Sequence, residues 1–206
     1  MAAESDRPTP VLFTIGHSSH SMAYFVALLK DSGIEVLVDV RSYPYSRYAP
    51  HFNGAKLRQS EELRAAGIKY LSLARELGGR PAEPEFYDAE GHVLYERIAK
   101  MPVFLEGMGR LSNGIAKYKV AIMCGEEDPV GCHRRLLIVR VLIQRGMNPD
   151  HIVHIRGDGS FQTERELRDT ERDAARPSLL DIEGTEAWKS TRSVLRKEPP
   201  QTSLER

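Results

Sequence analysis

The stretch from Val120 to Val139 reads VAIMCGEEDPVGCHRRLLIV and decides the fold. Its first residues form an apolar run that predicts a buried strand, and the residues after Gly131 predict a buried helix. A short loop rich in carboxylates lies between them. Both cysteines of the chain are here, Cys124 at the end of the strand and Cys132 where the helix begins. The sequence therefore concentrates its reactive groups at one strand–loop–helix junction.

Apolar runs of the same kind recur along the rest of the chain. Four more strands are predicted, at 11–15, 36–40, 68–71 and 152–155, with helical spacing between them. This alternation implies βαβ units, so we expect a three-layer α/β fold with a mostly parallel central sheet of about five strands flanked by helices. The domain is predicted to span 11–162, after a disordered lead at 1–10 and before a charged, partly helical or disordered tail at 163–206.

The overall composition excludes several classes of protein. The 206 residues carry 29 Lys+Arg and 29 Asp+Glu, and this zero net charge argues against a protein that coats nucleic acid by bulk charge. The N-terminal residues lack the pattern of a signal peptide. The most apolar stretch, 136–143, is interrupted by Arg140 and is too short to span a bilayer, which takes roughly 20 residues. We expect a cytoplasmic protein with free thiols and no membrane partner; the oligomeric state stays open.

The loops after the predicted strands are the expected ligand-binding region, because ligands of parallel sheets bind beyond the carboxyl ends of the strands. The loop 41–53 is the richest of them. Arg41 and Arg47 can bind a phosphate or carboxylate in a bidentate manner, and Tyr48, like the other aromatic residues of this loop, offers a face for stacking. The alternative is that these aromatic residues anchor the loop and the arginines are solvated. His17 and Ser18 follow the first strand and are expected on the same rim.

The junction between Cys124 and Arg134 offers several kinds of chemistry. A thiol at a helix N-terminus tends toward thiolate, so Cys132 is a candidate nucleophile with His133 as its proton carrier, or else a small capping residue. Cys124, at the end of a buried strand, is expected to be a core residue. Glu126 is a candidate general base or an acceptor for an exocyclic amine, and Arg134 a candidate anion ligand.

Several ordered motifs carry a family resemblance. They lie at 14–18, 39–53, 77–80 and 123–134, the last as Met123-Cys124-x-Glu126-x-Asp128-Pro129-x-x-Cys132-His133-Arg134. Together they resemble domain-of-unknown-function family 488 from roughly Phe13 to Thr163. The resemblance implies no particular activity. Similar members often have an aromatic and a basic residue where this chain has Val130 and Gly131, which implies a difference in affinity or substrate.

Three functions remain open from the sequence. The leading hypothesis is an enzyme of hydrolase or transferase type, or a binding protein derived from one, whose pocket takes an anionic small molecule such as a nucleotide, or a nucleic acid. The second is a cysteine-dependent sulfurtransferase or redox enzyme similar to rhodaneses, against which the acidic loop argues. The third is a metal-stabilised interaction module, although Cys-x7-Cys-His lacks the short spacing of structural zinc sites. No cofactor and no metal ligand is predicted. The predicted pocket residues are His17, Ser18, Arg41, Arg47, Tyr48, Glu126, Cys132, His133 and Arg134.

Overall fold

The computed structural model describes residues 11–174 and 188–193. Its six strands are β1 Leu12–Gly16, β2 Val36–Asp39, β3 Lys69–Ser72, β4 Val120–Cys124, β5 Ile152–Ile155 and β6 Phe161–Thr163. The helices are α1 Met22–Asp31, α2 Gly54–Gln59, α3 Glu61–Ala65, α4 Ala74–Leu77, α5 Tyr95–Ile98, α6 Pro102–Ile115, a π-helical segment Arg134–Val139 that continues into α7 Arg140–Gln144, and α8 Glu164–Ala174. Short 3₁₀ turns lie at Pro50–Phe52, Pro84–Phe86 and Pro149–His151.

The strands form one sheet in the order β3-β2-β4-β1-β5-β6. All neighbouring pairs are parallel except β5 and β6, which pair antiparallel. The predicted three-layer α/β fold with a mostly parallel sheet is thereby confirmed. The strand beyond the expected five is β6, whose three residues are too few to show a hydrophobic period.

Apolar clusters cover both faces of the sheet and give the molecule its layers. On one face, α4, α5, α6 and the π-helical segment contribute side chains such as Leu77, Phe104 and Leu137. On the other, α1, α2 and α3 contribute Phe25, Leu57 and Leu63 among others. The central strand β4 is buried along its whole length because both faces are covered.

Three predicted helices differ in detail from those observed. The helix expected at 55–66 is divided at Ser60, whose hydroxyl caps α3 by accepting from the Leu63 amide. The helix expected at 93–112 is α5 plus α6, with Pro102 as the first residue of α6, where proline costs least. The helix expected after Cys132 opens with a π-helical segment, a rare form that is frequent at functional sites.

The predicted charged tail does more than face solvent. Glu164 and Leu167 of α8 are buried against the domain. A second piece, residues 188–193, is called here the C-terminal strap. Trp188, to which the sequence assigns no role, donates from Nε1 to the Leu136 carbonyl at 2.6 Å and lies under the Arg140 guanidinium. The expected lead at 1–10 and the tail at 175–187 and 194–206 lie outside the described residues.

No helix within 11–174 or 188–193 has both the length and the apolar character needed to cross a membrane.

Candidate functional site

The site lies at the carboxyl edge of the sheet, where three neighbouring strands end together. Gly16 of β1 pairs with Cys124 of β4, and Asp39 of β2 pairs with Met123. The loop after β4 packs directly on Gly16, where a Cβ would approach the Glu126 carbonyl oxygen to 1.8 Å. Glycine is therefore required at this position, and it brings the loops after β1 and β4 into contact.

A polar cavity of about 670 Å³ opens at this edge. Loops that follow β1, β2, α4 and β4 line it, together with the C-terminal strap. The lining residues are His17, Arg41, Ser42, Tyr43, Tyr45, Ser46, Gly79, Arg80, Tyr95, Cys124, Gly125, Glu126, Glu127, Asp128, Gly131, His133, Ser190, Arg192 and Ser193. Several strand ends thus converge on one pocket, as expected for a parallel sheet.

Four side chains meet at the floor of this pocket and are called here the thiol cluster: Cys124, Glu126, Cys132 and His133. Glu126 Oε2 lies 3.0 Å from the Cys124 Sγ and 3.1 Å from the Cys132 Sγ. His133 Nδ1 lies 3.5 Å from the first sulfur and 4.0 Å from the second. Because Nε2 of His133 donates to the Val40 carbonyl at 2.9 Å, Nδ1 of the neutral ring carries the lone pair toward the sulfurs.

The two thiols differ in acidity. The hydrogen bond between them and burial both raise the pKa of Cys124 well above its ordinary value. Burial acts in the same direction on Cys132, but the bond from Cys124, the Arg134 charge and His133 outweigh it and lower the pKa of Cys132 to about 5. Cys132 is therefore the more acidic thiol of the pair, and it donates to Glu126 only while it keeps its proton. Contacts with Cys132 and Val40 likewise outweigh burial and raise the pKa of His133.

Glu126 is the fourth member of the cluster, and its carboxyl group is ionised. Burial of the carboxyl would raise its pKa, but hydrogen bonds from Cys124 and Cys132 lower it to about 2. The residue is nevertheless exposed to the pocket. Its carboxylate therefore stands between the two thiols and the cavity, where it can accept a proton from a bound molecule.

Arg134, predicted to bind an anion, is instead buried, with 1% of its surface exposed. Its two terminal nitrogens donate to the carbonyls of Glu126 and Glu127 at 2.5 and 2.6 Å. The guanidinium thus fixes the backbone of the loop and does not line the pocket. Cys132 likewise lies behind the pocket wall. Cys124 is buried, as predicted for a core residue, and the 5% of its surface that is exposed contributes to that wall.

His17 and Arg41 do meet at the pocket, as the loop pattern predicts. Arg41 donates to both carboxylate oxygens of Asp39, to the Phe52 carbonyl, and from Nη1 to His17 Nε2 at 3.0 Å. Nδ1 of His17 therefore carries the hydrogen and donates to the Ser18 carbonyl. Burial first, and then the Arg41 charge, lower the pKa of His17 to about 4, so the ring is neutral. Arg41 keeps a single Nη1 hydrogen for a ligand.

The remaining predicted residues lie further out. Arg47 is exposed, Tyr48 is 97% exposed, and neither they nor Ser18 line the cavity. Their roles in binding stay predictions. Two neighbours in the same loop, Tyr43 and Tyr45, do line it.

Arg80, Tyr95 and Arg192 line the pocket but are absent from the residues predicted for it, although the loop 77–80 is expected on the same rim. Arg80 follows the glycine pair 78–79, and such a pair often marks a place where the backbone packs closely against another group. Here that group is the His133 ring, which a Cβ on Gly79 would approach to 2.5 Å. For Tyr95, the sequence indicates only that the residue belongs to a helix. Arg192 belongs to the C-terminal strap, for which local sequence gave no indication.

Two of the three carboxylates in the acidic loop after Cys124 share a cationic partner. Arg156 pairs with Glu127 at 3.1 Å and with Asp128 at 3.2 Å, and Glu127 also accepts from the Gly157 amide. Glu126 accepts from the thiols. The charges of Glu127 and Asp128 are thus compensated, whereas the Glu126 carboxylate keeps its negative charge toward the cavity.

No curated protein and no solved structure matches the chain. A family model described as Domain of unknown function DUF488 matches residues 21–141, more than half of the sequence. The match includes the loop after β2 and the whole thiol cluster. It begins after β1 and stops within α7. The chain therefore belongs to the DUF488 family.

Proposed function

We propose that the pocket binds a phosphate-bearing aromatic ligand, a nucleotide or the end of a nucleic acid, and that its floor serves hydrolase or transferase chemistry. One observation carries the proposal: the mouth of the pocket combines two exposed tyrosines with two exposed arginines, above a floor of thiol, carboxylate and imidazole.

The mouth suits such a ligand by its residue types. Tyr43 and Tyr45 are 66% and 71% exposed, so their rings are available for a base to stack on. Arg80 and Arg192 are exposed, and no carboxylate among the described residues lies within ion-pair distance of either. Arg41, in contrast, is paired with Asp39. Arg80 and Arg192 are therefore the arginines of the pocket best able to bind phosphate.

The floor suits proton transfer. Glu126 is ionised and exposed to the cavity, and His133 and Cys124 lie beside it. A carboxylate in this position can accept a proton from an attacking water or hydroxyl, and His133 can return it. His17 is neutral and accepts from Arg41, so its role is to orient that guanidinium rather than to exchange protons.

Binding of a fluorescent mononucleotide over a salt series tests the proposal. Arg80→Ala and Arg192→Ala are each expected to weaken binding roughly tenfold, the effect of losing one charge-assisted hydrogen bond. Arg145→Ala is the matched control, because Arg145 is exposed and follows α7 at the opposite edge of the sheet. Absence of binding, or equal loss in the control, would reject the pocket as a nucleotide site.

Arg47 and Tyr48 are exposed, and in this proposal they extend the same site. They lie in the loop that carries Tyr43 and Tyr45 but outside the cavity. We infer that they contact a longer, single-stranded ligand. Arg47→Ala is then expected to weaken binding of an oligonucleotide and to leave mononucleotide binding unchanged; a loss for both ligands would place Arg47 in the pocket itself.

A second candidate is thiol chemistry of the rhodanese type, favoured by the contact between the two sulfurs and by the position of Cys124 at a strand end facing the pocket. Iodoacetamide alkylation of metal-free protein across pH tests it. A thiol that reacts well below the ordinary pKa of about 8.5 supports this candidate, and two inert thiols exclude it.

A further inference from the structure

We propose that the thiol cluster is a zinc site, in which Cys124 Sγ, Cys132 Sγ and His133 Nδ1 bind Zn²⁺ with water in the fourth position, and the Glu126 carboxylate lies beside both sulfurs as a nearby negative charge. The proposal rests on the cluster alone and is independent of what the mouth of the pocket binds; with zinc bound, His133 is a ligand and Glu126 is left for proton transfer.

Three donor atoms, Cys124 Sγ, Cys132 Sγ and His133 Nδ1, already form a compact group. With zinc bonds of about 2.0–2.3 Å, neighbouring donors of a tetrahedral site are about 3.5 Å apart. The carboxylate oxygen lies 3.0 and 3.1 Å from the two sulfurs, and the imidazole nitrogen 3.5 and 4.0 Å from them. The donor atoms of Cys124, Cys132 and His133 all lie within 4.8 Å of one another. Shifts of no more than about an ångström would therefore bring these three atoms to the spacing of a tetrahedral site.

The orientation of His133 is that of a metal ligand. Its Nε2 donates to the Val40 carbonyl at 2.9 Å, and this bond fixes the tautomer that presents the Nδ1 lone pair to the sulfurs. Ligating histidines almost always bind a carbonyl or carboxylate through their second nitrogen in this way. Gly79 permits the position, because any side chain there would collide with the ring.

The charges also favour a divalent cation. Two thiolates and one carboxylate sum to three negative charges in a poorly solvated place, since Cys124 and Cys132 are 5% and 1% exposed. Zinc and the buried Arg134 guanidinium together supply three positive charges. Binding would release to solvent the protons that Cys124, Cys132 and His133 still hold, so that no other reactant is needed.

The sheet explains why the sequence spacing conceals the site. Cys124 comes from the end of β4, Glu126 from the loop, and Cys132-His133 from the start of the following helix. Arg134 ties the loop backbone down at Glu126 and Glu127. Fold contacts, rather than a short paired motif, hold the donors together.

A second group of potential ligands, Asp88, Glu90 and His92, differs from the thiol cluster in the ways that matter. It contains no sulfur, Glu90 is exposed, and the Asp88 carboxylate is already bound by Lys189 and His92. We infer no site there, and use it as an internal control.

Metal analysis of the reduced, full-length chain tests the proposal. After chelator treatment, titration with Zn²⁺ is expected to reach about one ion per chain, and Co²⁺ to give thiolate-to-metal charge-transfer absorption. Cys124→Ser and Cys132→Ser are expected to lower affinity on the order of 100-fold or more, and Glu126→Gln roughly tenfold with the charge-transfer band retained. His151→Asn, at the opposite edge of the sheet, is the matched histidine control and should bind as wild type.

Protection from alkylation provides a measurement that does not depend on the folding of any variant. Zinc is expected to shield both thiols of the wild-type chain from iodoacetamide, which would also exclude free-thiol chemistry in the loaded protein. Zinc without protection, wild-type affinity in Cys132→Ser, or loss of zinc only in His92→Asn would each overturn the proposal. Arg80→Ala should keep full zinc affinity, so a failure of nucleotide binding and a failure of zinc binding are distinguishable.

Discussion

Two residues that are two positions apart in the chain, His133 and Arg135, belong to two different polar clusters. His133 enters the thiol cluster on the pocket side, whereas Arg135 enters an ionic network on the side of α8, called here the Arg135 network. In that network the buried Glu164 carboxylate accepts from Arg135 Nε at 2.8 Å, from His154 Nε2 at 3.0 Å and from Arg168 Nε at 2.7 Å. Thr14 closes it by a hydrogen bond to His154 Nδ1.

The two clusters differ in how completely their hydrogen-bonding groups find partners within the protein. Every side-chain nitrogen of Arg135 and both ring nitrogens of His154 have a partner within the protein, as buried ionic groups require. The thiol cluster instead places two weak donors around one carboxylate and leaves that carboxylate exposed to a cavity. We infer that the first cluster fixes α8 to the sheet and that the second is reserved for a ligand.

The largest expected effect separates the two clusters by stability. Glu164→Ala removes the buried carboxylate shared by Arg135, His154 and Arg168, leaves Arg135 with Glu171 alone, and is expected to cost about 3 kcal/mol of the free energy of unfolding. Urea denaturation measures it. Asp173→Ala, an exposed carboxylate on the same helix, is the control and should cost less than about 0.5 kcal/mol. Normal stability of Glu164→Ala would contradict the view that this network holds α8.

Acid provides the next test of the same network. Burial would raise the pKa of Glu164, but bonds from His154 and Arg135 lower it to about 2, against 4.5 for a free carboxyl. A lowered carboxyl pKa stabilises the fold above pH 4.5, and this contribution, about 3 kcal/mol, is lost as pH falls from 4.5 to 2. Burial also lowers the pKa of His154, so acidification below about pH 6.5 already begins to destabilise the fold. Glu164→Gln should flatten the lower part of the urea midpoint–pH curve.

Sequence patterns predicted the sheet better than the clusters attached to it. The buried strands appear as continuous apolar runs, and parallel order then places Arg41, Glu126 and His133 on one rim. Side-chain direction could not be predicted in this way. Arg134 looked like an anion ligand, but its guanidinium turns back to bind carbonyls seven and eight residues earlier. Cys124 is buried as predicted, but its place at the edge of the cavity is defined only once the neighbouring loops are in place.

Contacts distant in sequence account for most of the remaining differences. Glu164 is 29 residues from Arg135, and Trp188 is 52 residues from Leu136. A stretch of charged residues such as α8 indicates a solvated helix when its partners are unknown. The same stretch becomes partly buried when a strand histidine and a helix arginine supply the matching charges and donors.

A glycine substitution tests how tightly the thiol cluster is held. A Cβ at Gly79 would lie 2.5 Å from the His133 ring, so Gly79→Ala is expected to displace that ring and to cost about 1–3 kcal/mol. Zinc affinity should fall in parallel. Gly109→Ala is the matched control: its Cβ would meet nothing within 4 Å and lies within α6, so the change should stabilise the fold by about 0.5–1 kcal/mol. Unchanged zinc affinity in Gly79→Ala would show that the position of His133 is not critical.

The smallest expected effect concerns the C-terminal strap, which connects the helix between the two clusters with the mouth of the pocket. Trp188→Phe removes the hydrogen bond to the Leu136 carbonyl but keeps an aromatic ring beneath Arg140, so it should cost about 1 kcal/mol. Because Ser190 and Arg192 of the same strap line the cavity, nucleotide affinity should fall a few-fold while zinc affinity stays constant. Arg192→Ala in the Trp188→Phe background should then add less than it does in wild type, since both changes act through the same guanidinium. If the effects of Trp188→Phe and Arg192→Ala on nucleotide affinity were fully additive, the strap and the pocket would be independent.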